Sequence, residues 1–291
     1  MRLLSFEHGD EKAVGVRIGE QVVNLAIAAP KLPKDIIGIL RAGQKALDAA
    51  EAAVKKAPSQ AIVELANITH LLPITHPDKN IGLGKNYIKH VLEMGGEPPV
   101  FPGMFFRIPD SMVAHNQPIW RPEISDTLDY EGELMVVIGR EGRMIPTEDA
   151  LSYVAGYACH NDGSLREYNR IPAAVSSGKN FLHTGGLGPE IVTADELPPG
   201  CEGLRLTTQV NGELRQDVNL SDMHWNVAQL IHLMSRIFTL YPGDLIGTGT
   251  PAGCAAGFKP PKWLVPGDVV KVEIDGIGTL VNPIIDAPKV S

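Results

Sequence analysis

Asp129-Tyr130-Glu131-Gly132-Glu133 sets three carboxylates at every second position and runs straight into the apolar segment Leu134-Met135-Val136-Val137-Ile138-Gly139. The β-branched run predicts a buried strand. Side chains alternate across a strand, so Asp129, Glu131 and Glu133 are expected on one face and Tyr130 on the other. Three like charges on one face repel, and they find relief by taking up protons, by sitting in water or by sharing a cation. Sharing a cation suits a strand that becomes buried, whereas a solvated edge that discourages pairing with other chains carries the same pattern. A second acidic element, His160-Asn161-Asp162-Gly163-Ser164-Leu165-Arg166-Glu167, follows the apolar stretch 153–157 and adds a carboxylate at another strand end. Three carboxylates without Cys or His at ligand spacing indicate oxygen-only coordination, which suits Mg²⁺, Mn²⁺ or Ca²⁺ and not structural zinc. Water retained on such an ion marks positions that a chelating substrate can displace.

Other residue types along the chain could complete a reaction. In Gly84-Lys85-Asn86-Tyr87-Ile88-Lys89-His90-Val91-Leu92-Glu93, helix from Asn86 onward puts His90 and Glu93 at i and i+3, within contact reach. A carboxylate beside an imidazole orients the ring and makes an acid/base pair, and an exposed helix ion pair has the same spacing. Gly95-Gly96 and Glu97-Pro98-Pro99 mark a flexible segment, either a lid or a plain loop. Arg107, after the short strand Phe105-Phe106, could pair an anionic substrate or face solvent. Lys179, after Gly178, carries an ammonium suited to a carboxylate or a developing oxyanion. Gly247-Thr248-Gly249-Thr250-Pro251-Ala252-Gly253 is a glycine-rich strand exit able to cradle an anion through N–H groups and hydroxyls. Its glycine spacing fits neither a dinucleotide fingerprint nor a P-loop.

These residues need a scaffold, and the scaffold reads as strand-rich. Residues 13–18 and 21–25 flank a Gly19-Glu20 turn as a hairpin, followed by helical candidates over 34–41 and 44–55. Residues 1–72 are taken as a small N-terminal α/β accessory domain, and 73–291 as the body that holds the chemistry. Thr147, ahead of Glu148-Asp149, marks a helix start. Residues 204–210 alternate as a strand and turn back at Asn211-Gly212, and 221–234 read as a helix capped by Ser221 or Asp222 with Val227, Leu230, Ile231 and Met234 as its buried stripe. Residues 269–274 and the Gly276-Ile277-Gly278 turn form a closing hairpin. Strands outnumber helices and few βα units alternate, which predicts an α+β body of mixed sheets and not a doubly wound parallel sheet.

At 291 residues and 44% hydrophobic, the chain can bury a real core. A formal net charge of −8 argues against non-specific binding to nucleic acid or anionic membranes, which needs basic patches. The first residues lack a signal-like apolar core, no apolar run reaches membrane-spanning length, and Cys159, Cys201 and Cys254 are odd in number and far apart. The expectation is a cytoplasmic protein with reduced, packed thiols.

Six ordered motifs, 84–93, 130–139, 161–166, 178–181, 248–253 and Pro266-Gly267-Asp268, closely resemble the fumarylacetoacetate hydrolase family over roughly residues 75 to 285. The resemblance implies a mixed β-sandwich roll, often dimeric. It implies Mg²⁺, or Mn²⁺ or Ca²⁺, held by Glu131, Glu133 and Asp162, with Asp129 outside the ligand set. It assigns His90 and Glu93 of the lid helix to orienting or deprotonating the attacking water. Lys179 and the 248–251 loop would meet the substrate's carboxylate or oxo group, and Tyr87, Arg107, Arg166 and Thr250 would line the substrate. Where this chain has Arg107 the family often has lysine, and where it has Asn169 some members carry glutamine, so contacts to the substrate's tail are the part that differs.

The implied activity is hydrolysis of a C–C bond in a 2,4-dioxo acid, an acylpyruvate such as fumarylpyruvate, through an enolate stabilised at the metal site. Decarboxylation of an oxaloacetate-like acid and isomerisation of a 2-hydroxy-diene-dioate use the same site, and a catalytically silent metal-binding protein is a further alternative. The partner is accordingly a small dicarboxylate or 2-oxo acid, bound by a homodimer.

Overall fold

The computed structural model describes residues 1–171 and 176–289. Its central strand is Gly132–Ile138, and all seven residues are buried. The reason lies on both edges and both faces. One edge pairs antiparallel with Val154–Asn161 and the other with Leu245–Gly247, so no backbone group is left at an open edge. Leu134, Val136 and Ile138 join a core with Leu206, Val272 and Leu280 of a second sheet and with Leu230 and Ile231 of the Val227–Ile237 helix. Met135 and Val137 face the opposite way, into a cluster with Leu3, Ile39 and Ala50. Period-two alternation therefore sorts one apolar run between two cores.

The first sheet has 12 strands and carries the chain from the N-terminal hairpin to the lid. Arg2–His8 pairs with Gly185–Thr193, Leu3 opposite Ile191, so the N-terminal segment is hydrogen-bonded to the body. The hairpin Glu11–Ile18 and Gln21–Asn24 and the helices Ile36–Arg41 and Gln44–Lys55 lie where the sequence pattern puts them. At the far end, Leu245–Gly247 pairs in parallel with Asn80–Gly84, which pairs with Gly103–Phe106. The second sheet has five strands and includes the Arg205–Val210 and Glu213–Asn219 hairpin and the closing Val269–Ile274 and Gly278–Asp286 pair. The result is the mixed, strand-rich α+β architecture expected. The three cysteines are buried and unpaired, and among the described residues no helix is long and apolar enough to cross a membrane.

Two elements depart from the sequence reading. The helix expected from Ser221 begins at Val227, capped by Asn226 and Gln229 in a reciprocal capping box. Asn86 explains the delay: its carbonyl accepts from His224 N at 2.7 Å and its side chain exchanges bonds with Trp225 N and O, which ties 224–225 to the segment after strand Asn80–Gly84. Thr147 starts no α-helix, and the segment forms a short 3₁₀ turn at Ala150–Tyr153 without a side-chain cap.

Candidate metal and acid/base site

The acidic run is not one unbroken strand. Leu128–Asp129 pairs with Ser164–Leu165, whereas Gly132–Ile138 belongs to the large sheet, and the chain changes sheets across Tyr130 and Glu131. Strict alternation therefore fails, and Asp129 leaves the shared face. Its Oδ1 accepts from Ala255 N at 2.7 Å and Tyr130 N at 2.8 Å, and its Oδ2 from Ala256 N at 3.1 Å and Arg166 Nε at 2.7 Å. Asp129 is an anchor for Arg166 and the 255–256 turn.

Glu131, Glu133 and Asp162 do converge. One oxygen from each lies within 4.8 Å of the others, and all three residues are buried. Pairing Gly132 with Asn161 across the ladder brings the two acidic elements together, and Asp162 N donates to Glu131 O at 2.8 Å. Asn161 Oδ1 accepts from Glu131 N at 3.0 Å. The donor set is three hard oxygens, which fits Mg²⁺, Mn²⁺ or Ca²⁺.

Three cations from outside the acidic run compensate the cluster. Lys179 Nζ donates to Glu131 Oε2 and Asp162 Oδ2, each at 2.5 Å, and to Asp162 O at 3.0 Å. Arg166 Nη2 donates to Glu131 Oε1. Arg107 Nη1 donates to Asp162 Oδ1 at 2.6 Å and to Gly163 O at 3.0 Å. Burial disfavours the ammonium of Lys179, yet Asp162 and Glu131 outweigh it and raise its pKa. Burial likewise pushes Asp162 up, but Lys179 and Arg107 hold it well below the usual carboxylate range. Among the described residues no cation forms an ion pair with Glu133, and Lys179 offsets the rise in its pKa only in part. Its Oε2 accepts from Gly249 N at 3.1 Å, while burial first, then repulsion from Asp162 and Glu131, drives its carboxyl well above the usual range. A divalent ion held here would supply the charge this residue lacks.

The lid helix is Ile88–Glu93, ended by Gly95 at φ 74°. His90 Nδ1 and Glu93 Oε2 lie 3.3 Å apart, the i, i+3 contact expected. Glu93 does more than orient the ring: both its oxygens accept from Gly253 N, at 3.1 and 3.2 Å, clasping the lid to the glycine-rich loop. Asn86 binds the other end, donating to Thr248 O at 2.8 Å. His90 is mostly buried.

Two expected substrate contacts are engaged by the protein itself. Arg107 spends its remaining donors on Ser111 Oγ, Ser111 O and Thr184 Oγ1, so it braces Asp162. The Thr250 hydroxyl donates to Gly132 O and accepts from Gln216 Nε2, both within 3.1 Å. Tyr87 is buried, and among the described residues its hydroxyl has no partner. The structure also adds residues that local pattern did not assign. His160 Nε2 lies 3.7 Å from Asp162 Oδ1, its Nδ1 tied to Gly186 O at 2.7 Å. Gln216, on the second sheet, links Gly132 N, Thr250 and Pro251 O. His160 adjoins the Asn-Asp motif and was visible there, but Gln216 has no local signal.

Residues 79–285 match the family described as fumarylacetoacetate (FAA) hydrolase C-terminal. A mitochondrial oxaloacetate tautomerase of Xenopus laevis is 37% identical over 292 residues, covering 98% of this chain and 90% of that one. Among solved structures, a fumarylacetoacetate hydrolase from psychrophilic Exiguobacterium antarcticum superposes with a TM-score of 0.84 at 32% identity, covering 99% of this chain and 100% of that one. A maleylpyruvate hydrolase from Sphingobium sp. SYK-6, in complex with manganese(II) and pyruvate, gives a TM-score of 0.83 at 27% identity with the same coverage.

Proposed function

The chain belongs to the fumarylacetoacetate hydrolase family, and from that premise we propose that it hydrolyses the C–C bond of a 2,4-dioxo acid of the acylpyruvate type. The observation that carries this reading is the His90–Glu93 pair, clasped by Gly253 against the loop whose Gly249 holds Glu133. Mg²⁺, or Mn²⁺ or Ca²⁺, held by Glu131, Glu133 and Asp162, would polarise the substrate's carboxylate and 2-oxo oxygens.

The chain's own residues supply the rest. Glu93 fixes Nδ1 of His90, which leaves Nε2 to take a proton from water. The water oxygen bonds to the distal carbonyl carbon, and the bond between that carbon and C3 breaks. The electron pair stays with the three-carbon fragment as an enolate, and His90 returns the proton to C3. The products are pyruvate and a free carboxylic acid. The Lys179 ammonium has its three N–H groups on Glu131 Oε2, Asp162 Oδ2 and Asp162 O, so it would act on the developing oxyanion through its charge and not by a hydrogen bond. Tyr87 and Arg166 contact the substrate.

A second reading, tautomerisation of oxaloacetate, is favoured by the identity to the Xenopus laevis protein. It needs the same pair to move a proton between C3 and the enol oxygen, with no C–C cleavage. The test follows enol absorbance of acetylpyruvate with Mg²⁺ or Mn²⁺, with EDTA, and in Glu131→Ala, together with product analysis. Metal-dependent loss giving equal pyruvate and acetate supports hydrolysis. Intact acetylpyruvate beside rapid conversion of enol to keto oxaloacetate shifts the function to tautomerase.

A further inference from the structure

Two paired positions of the large sheet beside the carboxylates carry no side chain. Gly82 pairs in register with Gly247 on one side and with Phe105 on the other, and residues paired in this way share a sheet face. A Cβ on Gly247 would lie 2.8 Å from Glu133 Oε2, and a Cβ on Gly82 would lie 2.2 Å from Cε2 and Cζ of the Phe105 ring. Glu133 therefore leans over one glycine and the Phe105 ring over its neighbour, one strand spacing of about 4.8 Å away. The Lys179 ammonium stands 5.2 Å from the centre of that ring and is bonded at 2.5 Å to Glu131 and Asp162. One cation thus links the ring, by cation–π attraction, to two of the three carboxylates. Alternation along Gly103–Phe106 decides which aromatic side chain reaches the site: Phe105 is half-buried, whereas Phe106 is exposed and turns to Phe238, their ring centres 5.6 Å apart.

We propose that Phe105 is a specificity-determining residue, its ring the apolar platform on which the flat, conjugated carbon skeleton of the substrate lies. The proposal rests on the acylpyruvate reading above, because the enol form of a 2,4-dioxo acid is conjugated and planar along its oxygen-bearing carbons. A flat π system stacked with an offset on an aromatic ring gains more than the area it buries. The face of a lone phenyl ring repels anions, and the Lys179 charge beside Phe105 offsets that repulsion. The glycine pair leaves bare backbone next to the ring, which lets a flat molecule approach the sheet closely. A tetrahedral carbon at the same place projects a substituent out of the plane, towards the ring or the backbone. A phenyl ring over a strand glycine also has a purely structural use, covering the bare backbone, and the two roles differ in what they do to ligands.

The test is titration calorimetry of the Mn²⁺-loaded full chain with furan-2-carboxylate and tetrahydrofuran-2-carboxylate. Both are monoanions that offer a carboxylate and a neighbouring ring oxygen, neither is a dioxo acid that the proposed reaction could cleave, and only the first is flat and conjugated. Phe105→Leu should weaken furan-2-carboxylate about 2- to 10-fold, the range for an aromatic pair, and leave the affinities for tetrahydrofuran-2-carboxylate and Mn²⁺ unchanged. Phe105→Tyr should keep the native ratio of the two ligands. Gly82→Ala retains the phenyl group but pushes it from its seat, and should reproduce the loss seen in Phe105→Leu. No binding of furan-2-carboxylate by the native chain, equal weakening of both ligands in Phe105→Leu, or an unchanged ratio beside a lowered melting temperature would overturn the proposal and leave Phe105 as cover for Gly82. Failure to cleave acetylpyruvate with the Phe105→Leu effect intact would remove the hydrolase reading and leave the platform standing.

Discussion

Replacing Lys179 with methionine keeps most of the side chain's length and removes its charge. The ammonium is bonded at 2.5 Å to both Glu131 and Asp162, and the three side chains are at most 7% exposed. Removing one partner of a buried pair costs about 3–5 kcal/mol, because the other charge stays buried without compensation. Here Arg166 still reaches Glu131 and Arg107 still reaches Asp162, which puts the expected cost near the lower bound, about 3 kcal/mol. At about 2–4 °C per kcal/mol for a large domain, Lys179→Met should melt about 6–12 °C below the native chain without added metal. A divalent ion supplies the missing positive charge to the same oxygens, so Mn²⁺ should raise the melting temperature of the variant more than that of the native protein. Calorimetric scans of both proteins with and without Mn²⁺ measure both effects. A variant melting within about 2 °C of native, or gaining no more from Mn²⁺, would refute the reading that Lys179 compensates Glu131 and Asp162.

His90→Ala should lower kcat for the accepted substrate by about 10²- to 10⁴-fold, the usual worth of a general base, while Mn²⁺ affinity by calorimetry stays unchanged. Unchanged turnover would end its role in water activation. Glu133 has its folded pKa raised, so its contribution to stability is full below the ordinary glutamate value of 4.5 and is lost as pH rises through the raised value. Metal binding between those two values should release a proton and tighten as pH rises; titration heats that do not change with the buffer's ionisation enthalpy would contradict this. Gly253 has φ 102°, and a Cβ there would sit 2.0 Å from Arg215 O. Gly253→Ala should therefore destabilise by about 2 kcal/mol or more and loosen Glu93, read as a lower melting temperature together with a lower kcat.

The sequence makes legible what depends on period and order. The buried strand at 132–138 and the three hairpins follow from patterns local to a few residues, whereas the set Glu131, Glu133 and Asp162 comes from the order of the family's motifs, since local spacing groups Asp129 with Glu131 and Glu133. What escapes depends on distant partners. Asp129 shares the spacing of the metal ligands, yet Ala255 and Ala256, over a hundred residues away, claim its oxygens. Arg107 and Thr250 look free in the sequence because Ser111, Thr184 and Gln216, which engage them, come together only in the folded chain. The helix cap moves from Ser221 to Asn226 for the same reason: Asn86 restrains the residues between.

The short strand Leu245–Gly247 has a consequence for the order in which the molecule can be built. It is the bridge between Gly132–Ile138 and Asn80–Gly84, and through the latter it carries the lid. During synthesis, the residues that supply the carboxylates, 131–162, and the cations, 107–179, emerge well before it. Until residue 247 leaves the ribosome, one edge of the central strand lacks its neighbour and the segment bearing His90 can pair only with Gly103–Phe106. Without residues 245–247, the chain would keep Glu131, Glu133 and Asp162 but lose the strand that joins the His90 segment to Gly132–Ile138.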